Sequence, residues 1–511
     1  MENRRIAAKA HRPQSHPAPN RAVVVGGGIS GLLAAKDLQA AGFQVSIYEA
    51  ATTWGGCVAS HEVAGVVLDA GAESFATRNT AVADLATELG LGAQLTTPNP
   101  AGAWVWLAEG PVPLPRTGIL GIPSDLSAPE VRAALGASGV LRAALDAKMP
   151  VSIGTTEAVS SVAELVRARM GKRVLERLVA PVVAGVHSAD PEVLDIDVVA
   201  PGLRAGIREH GSLAAAVAAQ RAVGSKPGSA VGGLVGGMHS LVTALVADLR
   251  SSGVSMHAGH RINAVYRGDT DPEQTPPQRK YDGGAPPPWI VDWQHGTDSG
   301  FESAGVLVLA TDGPTAVKLL GVELPHILDF MPATGPDIRL VTLVVDVPEL
   351  DSEPRGTGVL VAPEVEGIKA KALTHATAKW DWLADSTGPG THVLRLSYGR
   401  AGVKASDAVR LTPSTPKEED LLPTALADAS TLLGIEISEA DLLGSDVVRW
   451  RGALPFAAVG HQAKMARIHA LANEVPGLVL TGGWMHGNGL AAVVSGTRRQ
   501  IRAAVDASRR L

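Results

Sequence analysis

The sequence Val23-Val24-Val25-Gly26-Gly27-Gly28-Ile29-Ser30-Gly31 joins three β-branched residues to a G-x-G-x-x-G motif. The valines predict a buried parallel strand, and Leu32 to Leu38 predict the helix that follows it. In this arrangement the first glycine permits a tight turn, and the second lets a pyrophosphate approach the backbone at the helix N-terminus. The third lets the helix pack closely on the strand. The stretch therefore predicts a dinucleotide site.

An acidic residue completes this unit. A second predicted strand, Gln44 to Tyr48, ends at Glu49, about 20 residues beyond the glycines, where a carboxylate can accept a hydrogen bond from a ribose 2′-hydroxyl. The alternative is an ordinary glycine-rich turn between a strand and a helix. Because strand, turn, helix, strand and acid stand in register, the dinucleotide site is favoured. The residues assigned to it here are Gly26, Gly27, Gly28, Ile29, Ser30, Gly31, Glu49 and Ala50.

The composition excludes several classes of protein. Lys plus Arg number 45 and Asp plus Glu number 51, so the basic surplus typical of nucleic-acid partners is absent. The single cysteine, Cys57, excludes an internal disulfide framework and fits a reducing cytoplasm. The sequence contains no run of about 18 apolar residues, which predicts no membrane-spanning helix and leaves peripheral membrane contact open. Residues 1–20 predict a disordered tail.

Two later segments repeat the order of strand, glycine turn and helix. Val231 to Leu241 contains two Gly-Gly pairs, and Leu478 to Gly489 precedes a predicted helix from Leu490 to Ser508. These segments predict an α/β fold with a discontinuous Rossmann-like cofactor domain. The predicted boundaries are 21–80, 226–319 and 449–511 for the cofactor domain, 81–102, 203–225 and 320–448 for a mixed α/β substrate domain, and 103–202 for a helical insertion.

A second glycine turn favours one dinucleotide. Trp54-Gly55-Gly56-Cys57 follows shortly after Glu49 and resembles the Gly-Gly pair of FAD enzymes of the amine-oxidase type. Those enzymes usually have Arg or Lys where this chain has Cys57, so backbone N–H groups would have to bind the phosphates there. Gly56 and Cys57 join the predicted FAD site. The C-terminal glycine segment contains no cysteine, which predicts non-covalent FAD.

Beyond the FAD motifs, the chain resembles the flavin-dependent porphyrinogen oxidases of the amine-oxidase superfamily. The first similar segment is Leu68-Asp69-Ala70-Gly71-Ala72-Glu73-Ser74-Phe75. The others are Pro181 to Pro191 (PVVAGVHSADP), Ala378-Lys379-Trp380, and Trp450 with Ala453-Leu454-Pro455 and Gly460-His461. Gly489 to Gly496 is more similar to the Gram-positive bacterial type, which acts on coproporphyrinogen III, than to the eukaryotic type, which acts on protoporphyrinogen IX.

This resemblance implies an FAD-dependent oxidase of haem biosynthesis. Coproporphyrinogen III would lose three hydride and proton pairs and become coproporphyrin III, with O₂ as electron acceptor and hydrogen peroxide as the second product. The flavin would carry out the chemistry, so no catalytic side chain and no metal ligand is assigned. The implied partners are the porphyrinogen, O₂ and other enzymes of the haem pathway. The implied location is the cytoplasm, with peripheral contact at the inner face of the membrane left open.

The resemblance also implies roles for individual residues. Gly71, Ala72, Glu73 and Ser74 would line the flavin, Ile262 would offer its backbone to the adenine, and Trp450 belongs to the same site. Asn488, Gly489 and Leu490 would place a helix N-terminus at the flavin N1–C2 carbonyl. The candidates for substrate binding are Arg78, His187, Lys379 and Trp380. Arg78 and Lys379 would bind carboxylates, and Trp380 would stack on the macrocycle.

Several alternatives stay open from the residues. Arg78 and Lys379 can be ordinary surface charges, His187 a structural histidine and Trp380 a core residue. For the whole chain, the first rival function is protoporphyrinogen IX oxidation. The second is another chemistry of the superfamily, such as amine oxidation or carotenoid desaturation. The third is a flavin-binding protein without turnover that acts as a scaffold or carrier.

Overall fold

The computed structural model describes residues 20–116, 118–156, 159–224, 231–268, 288–399, 416–452 and 458–509. The predicted N-terminal tail, apart from its last residue, lies outside the described residues. The same holds for Ala453-Leu454-Pro455 of the segment that follows Trp450.

Five parallel strands form a sheet, called here the parallel sheet. Its strands, in spatial order, are Ser255–Ala258, Gln44–Glu49, Arg21–Val25, Val306–Leu309 and Leu478–Leu480. Val23 pairs with Ser46 on one side and with Leu307 on the other. Val24 packs into the hydrophobic cluster on one face of the sheet, and Val23 and Val25 pack into the cluster on the other. Burial on both faces explains why this strand is an unbroken run of valines.

Each face of the parallel sheet is covered. Four helices pack on one face: Ile29–Ala40, Ala81–Glu88, His239–Ser251 and Leu490–Ser508, the last called here the C-terminal helix. The other face carries helices Gly313–Leu320 and His461–Asn473 and an antiparallel sheet of Arg261–Arg267, Trp289–His295 and Asp298–Ala304. This is the doubly covered arrangement in which a ligand binds at the carboxyl ends of the strands.

A second, larger sheet lies beside the parallel one and is called here the seven-stranded sheet. Its strands, in spatial order, are Leu442–Arg451, Asp337–Asp346, Thr391–Tyr398, Ala372–His375, Gly358–Val361, Trp104–Leu107 and Gly110–Pro113. One face packs on helix Leu421–Leu433 and on the helical part of the chain. The other face packs on the hairpin Ser60–Val63 and Val66–Asp69 and on helices Ala376–Lys379 and Asp381–Thr387.

The helical part shares one core with the seven-stranded sheet. Its helices are Pro129–Ala144, Val162–Arg169, Lys172–Val174, Leu175–Val179 (a π-helix), Ala180–His187, Ile196–Val199, Leu203–His210 and Leu213–Gly224. A capping box between Ser161 and Glu164 begins the second of them. A buried ion pair joins Arg169 Nε to Asp146 Oδ1 at 2.5 Å.

The remaining elements are short. Phe75–Ala76, Val231–Leu234 and Leu95–Thr96 form a three-stranded sheet, and Gly118–Ile119 pairs with Ile122–Pro123. A four-residue helix, Gly483–His486, precedes the C-terminal helix. Short 3₁₀ turns are Gly56–Val58, Gly92–Gln94, Leu145–Lys148, Pro325–Phe330, Pro348–Ser352, Glu418–Asp420 and Glu439–Asp441.

Three details differ from the predicted boundaries. Trp104–Leu107 and Gly110–Pro113, predicted within a helical insertion, are strands of the seven-stranded sheet. The alternation of Trp104-Val105-Trp106-Leu107, with its second and fourth residues buried, is the reason. Helix Ala81–Glu88, assigned to the substrate domain, packs in the core under the parallel sheet. Strand Leu442–Arg451 crosses the boundary placed at 448/449. The division into domains stays a prediction.

In the part of the chain that the structure describes, no helix is both long and apolar enough to cross a bilayer.

Candidate functional site

The glycine loop, Gly26–Gly31, gives each of its motif glycines a separate task. Gly26 has φ +107°, in the left-handed region that favours glycine, and its N–H donates to the Tyr48 carbonyl at 2.8 Å. A Cβ at Gly31 would overlap the Gly26 carbonyl oxygen, so helix and strand meet there without room for a side chain. A Cβ at Gly28 would meet no heavy atom within 4 Å. The open side of the loop therefore lies at Gly28, where a ligand can approach the backbone.

Glu49 lies against this loop. Its Oε2 accepts a hydrogen bond from Gly27 N at 2.6 Å, and its Oε1 accepts one from Ala51 N at 2.7 Å. Both oxygens keep a lone pair, because an ionised carboxylate has about four acceptor positions. The carboxylate is therefore fixed beside the loop while it can still accept a further hydrogen bond. Ala50, next to it, is exposed.

Ile262 lies a short distance along the chain from a backbone contact with Glu49. His260 N donates to the Glu49 carbonyl at 2.8 Å, and strand Arg261–Arg267 begins at the next residue. The pairing of Ile262 with Trp293 is followed by a register shift before Ala264. Such a bulge leaves backbone groups outside the ladder, which is the feature that a backbone contact to adenine would need.

The second glycine turn packs directly on the first. Gly55 N donates to the Gly27 carbonyl at 2.8 Å, and a Cβ at Gly56 would lie 3.3 Å from the Gly28 Cα. Cys57, in the same turn, is half-buried, and burial raises the pKa of its thiol to about 11. The thiol is therefore neutral at neutral pH. A neutral thiol adds no negative charge beside a pyrophosphate, although it also supplies no cation there.

The loop Ala70–Ser74, called here the acidic loop, joins strand Val66–Asp69 to strand Phe75–Ala76. Ala70 N donates to the Ala59 carbonyl and Ala72 N to the Cys57 carbonyl, both at 2.8 Å. From the seven-stranded sheet, Trp450 Nε1 donates to the Ala70 carbonyl at 2.9 Å. Trp450 thus lies beside the acidic loop, as its assignment to the same predicted site requires.

Asp69, just before the acidic loop, is hydrogen-bonded to the glycine-rich segment Val231 to Leu241. Its carboxylate accepts hydrogen bonds from Met238 N at 2.9 Å and His239 N at 2.8 Å, at the start of helix His239–Ser251. A carboxylate at a helix N-terminus is favourable because it meets unpaired N–H groups and the positive end of the dipole.

The structure pairs two residues that the sequence placed in different roles. The Lys379 ammonium, predicted to bind a substrate carboxylate, forms an ion pair with Oε1 of Glu73, a predicted flavin-lining residue. Trp380, predicted to stack on the macrocycle, is buried in the cluster between the hairpin and the seven-stranded sheet. Its ring lies so close to Gly233 that a Cβ there would come within 2.6 Å. Core packing is therefore the alternative that the structure favours for Trp380.

Arg78 and His187 have different surroundings. Arg78 is exposed and has no ion-pair partner among the described residues, and the next residue, Asn79, donates to Ser495 Oγ of the C-terminal helix at 3.0 Å. His187 ends helix Ala180–His187, and burial lowers its pKa, so the imidazole is neutral at neutral pH. Within the described ranges, His187 makes no hydrogen bond with another candidate residue.

The C-terminal helix begins at the predicted flavin turn. Leu490 is its first residue, and Gly489, its N-cap, is exposed and provides no side-chain cap. The first N–H groups of the helix therefore have no side-chain partner in the part of the chain described, and they form a positive helix end. The other predicted cofactor residues lie on the segments described: Ile29, Ser30, Gly71, Ser74 and Asn488.

A half-buried histidine that no motif indicated, His486, lies behind this turn. His486 Nε2 and the Thr481 hydroxyl share a hydrogen bond of 3.1 Å, and Thr481 in turn bonds Thr497 at 2.8 Å. A Cβ at Gly496 would overlap the His486 ring. Burial, with smaller contributions from the positive charges of Arg499 and His469, lowers the pKa of His486 to about 4. The signal in the sequence was a histidine between two glycine turns.

This histidine makes stability depend on pH. An unfolded histidine titrates near 6.5, so between about pH 6.5 and 4 the unfolded chain binds a proton that folded His486 does not. The free energy of unfolding should therefore fall as the pH drops through that window, by on the order of 2 kcal/mol at pH 5 from this residue. Urea unfolding at pH 7 and pH 5 measures the fall. In His486→Gln, which cannot titrate, the fall should be smaller; an equal fall in both proteins would contradict the assignment.

Comparison with known proteins gives a matching family and relatives of nearly the same length. Residues 29–276 match the family of flavin containing amine oxidoreductases. A coproporphyrinogen III oxidase of Mycobacterium leprae is 28% identical over 486 residues, which cover 94% of this chain and 97% of the relative. The Bacillus subtilis coproporphyrinogen III oxidase is 26% identical and covers 92% of this chain and 94% of its own.

Solved structures share the fold. A crystal structure from Exiguobacterium sp. 255-15, provisionally described as a protoporphyrinogen oxidase, has a TM-score of 0.75 and 24% identity, covering 96% of this chain and 99% of that one. Its fold confirms the α/β architecture. The family match and the near-full-length relatives confirm the predicted resemblance to the flavin-dependent porphyrinogen oxidases, and the chain is an oxidoreductase that uses a flavin cofactor.

Proposed function

We propose that this chain is an FAD-dependent oxidase that converts coproporphyrinogen III to coproporphyrin III with O₂ in haem biosynthesis. The observation that carries the proposal is the extent of the similarity. Seven relatives named coproporphyrinogen III oxidase match 91–96% of the chain. A protoporphyrinogen oxidase of Arabidopsis thaliana matches 34% of the chain at 29% identity. The rival substrate, protoporphyrinogen IX, is therefore second.

The residues present fit FAD as the flavin. The open side of the glycine loop at Gly28 admits a pyrophosphate, and Glu49 keeps acceptor positions for a ribose hydroxyl. Asn488, Gly489 and Leu490 would hold the flavin ring at the uncapped end of the C-terminal helix. Cys57, the single cysteine, lies in the second glycine turn with its thiol protonated, which supports non-covalent binding.

The protein's task in this reaction is to bind and to stabilise charge. When bound, FAD would supply the redox chemistry of three two-electron oxidations of the macrocycle, with O₂ as the final electron acceptor. The uncapped N–H groups at Leu490 favour negative charge, which a reduced flavin carries. The pyrrole proton would go to solvent, since formation of the aromatic ring drives its loss and no side chain is assigned as base.

Substrate carboxylates need a free cation, and the two candidate cations have different surroundings. Lys379 is held by Glu73, whereas Arg78 is exposed beside the residue that contacts the C-terminal helix. Arg78 is therefore the stronger candidate for a propionate of coproporphyrinogen III, which its guanidinium can bind through two parallel hydrogen bonds. His187 remains a candidate that would act as a neutral imidazole.

A cytoplasmic location with peripheral membrane contact belongs to the same proposal. Four apolar side chains of the helical part are exposed within a short stretch: Leu141, Leu145, Val151 and Ile153. Exposed apolar residues grouped in this way are typical of surfaces that meet a membrane or another protein, and the other enzymes of the haem pathway are the implied protein partners.

Anaerobic mixing tests the substrate. The purified yellow protein is mixed with coproporphyrinogen III and, separately, with protoporphyrinogen IX, while flavin absorbance and porphyrin fluorescence are followed; oxygen is then admitted. Fast bleaching by the tetracarboxylate alone, with peroxide formed on reoxidation, is the expected result. Fast bleaching by protoporphyrinogen IX alone would transfer the assignment to the rival substrate. Bleaching by neither would refute the proposal and direct attention to amines and polyenes.

A further inference from the structure

A lysine at a helix end and an arginine of the seven-stranded sheet meet one carboxylate of the acidic loop. Lys379, at the end of helix Ala376–Lys379, is ion-paired with Glu73 Oε1, and Arg395 Nη1 donates to Glu73 Oε2 at 3.2 Å. Arg395 Nη2 also donates to the Gly71 carbonyl. We call Glu73, Lys379 and Arg395 the Glu73 cluster. Its two cations come from different elements and meet the same carboxylate. This convergence distinguishes the cluster from an isolated surface ion pair.

The Glu73 cluster is largely shielded from solvent. The side chains of Glu73, Lys379 and Arg395 are 20%, 16% and 12% exposed. Burial alone would raise the pKa of Glu73, but the charges of Lys379 and Arg395 outweigh burial and lower it, so the carboxylate is ionised. Removing one partner of a shielded cluster leaves a charge without compensation, and this costs far more than the loss of an exposed pair.

The Glu73 cluster lies on one of the two sides from which the acidic loop is held in place. On one side the acidic loop is bound through backbone hydrogen bonds to the second glycine turn, at Ala59 and Cys57. On the other side its bonds come from Trp450 and Arg395 of the seven-stranded sheet and from Lys379 at the end of helix Ala376–Lys379. The loop is thus held from two sides, and two of the three side chains on the second side are cations.

We propose that Lys379 and Arg395 are positioning residues that hold the acidic loop in the conformation that binds the flavin. The assignment rests on the proposed function, in which Gly71 to Ser74 line the flavin. It replaces the sequence-based role of Lys379 as a ligand of substrate carboxylates, because its ammonium already pairs with Glu73. Arg395, which no motif indicated, binds both the Glu73 carboxylate and a loop carbonyl.

Titration of apo-protein with FAD tests the proposal without any porphyrinogen. In Lys379→Met and Arg395→Met the dissociation constant for FAD should rise about tenfold, as it does when a binding-competent loop is populated one-tenth of the time. Lys379→Arg keeps the ion pair and should bind FAD like the wild type. Lys172→Met removes a lysine from an exposed pair with Glu176 and should also leave FAD affinity unchanged.

Glu73→Gln keeps the size of the side chain. Its dissociation constant for FAD tests the proposal if the methionine variants fail to fold. It should weaken FAD binding in the same direction, and the double variant Glu73→Gln/Lys379→Met should lose less affinity than the two single losses together. Unchanged FAD affinity in Lys379→Met, with a raised KM for coproporphyrinogen III, would overturn the proposal and restore the substrate role. Wild-type protein that binds no FAD would instead refute the proposed function.

Discussion

Gly28→Val is expected to give a folded protein without flavin. A Cβ at Gly28 meets no heavy atom of the protein within 4 Å, and the backbone there, at φ −71° and ψ 175°, is one that valine adopts readily. The added methyl groups would instead occupy the space through which a pyrophosphate reaches the loop. The affinity for FAD should fall at least about 100-fold, on the order of 3 kcal/mol.

The measurement compares flavin content with folding. Absorbance at 450 nm relative to 280 nm reports bound flavin, and circular dichroism with thermal unfolding reports the fold. Ala218→Val, which adds the same branched bulk on the exposed side of helix Leu213–Gly224, serves as control and should stay yellow. A fully yellow Gly28→Val protein would show that the pyrophosphate does not pass this glycine, and the assignment of the loop would be wrong.

Gly31→Ala is expected to damage the fold itself. A single methyl group at Gly31 would overlap the Gly26 carbonyl oxygen, which belongs to the backbone and cannot turn aside as a side chain could. Helix Ile29–Ala40 would have to move away from the parallel sheet, although eight of its residues are buried. We expect a loss of about 3 kcal/mol or more in the free energy of unfolding, comparable to severe overpacking of a core.

Gly28→Ala is the matched control, since it makes the same chemical change three residues earlier and in open space. Urea unfolding of the two variants and the wild type, all as apo-protein so that bound FAD does not affect the midpoints, gives the comparison. Gly28→Ala should unfold near the wild-type midpoint, whereas Gly31→Ala should unfold at much lower urea or not be recovered in soluble form. Equal midpoints for the two variants would mean that helix and strand are not packed as closely as described.

Much of the cofactor site could be predicted from local patterns. The strand of valines, the glycine loop and Glu49 lie within about 30 residues of one another, so their geometry follows from one strand, one turn and one helix. The C-terminal helix was predicted from Leu490 to Ser508 and has those bounds in the structure. Each of these elements is specified mainly by its own sequence, which is why the pattern was sufficient.

The rest depends on contacts between distant parts of the chain. Glu73 and Lys379 are 306 residues apart, and Ala70 and Trp450 are 380 apart. A motif indicates which residues matter, but it does not show which charge will neutralise which, because that is decided only when the sheets pack together. For the same reason Lys379 resembled a free cation in the sequence, Trp380 resembled a stacking platform, and Arg395 was not noticed.

The strand order of the parallel sheet has a consequence for synthesis on the ribosome. Strand Arg21–Val25 is synthesised before its neighbour Val306–Leu309 and before the edge strand Leu478–Leu480, which follow hundreds of residues later. At 5–20 residues per second, the interval before the last strand is on the order of half a minute or more. During that time the valines have no complete sheet to join, so this apolar strand is open to aggregation until the later strands arrive. The proposed flavin site, which includes Leu490, is complete only after that segment has been synthesised.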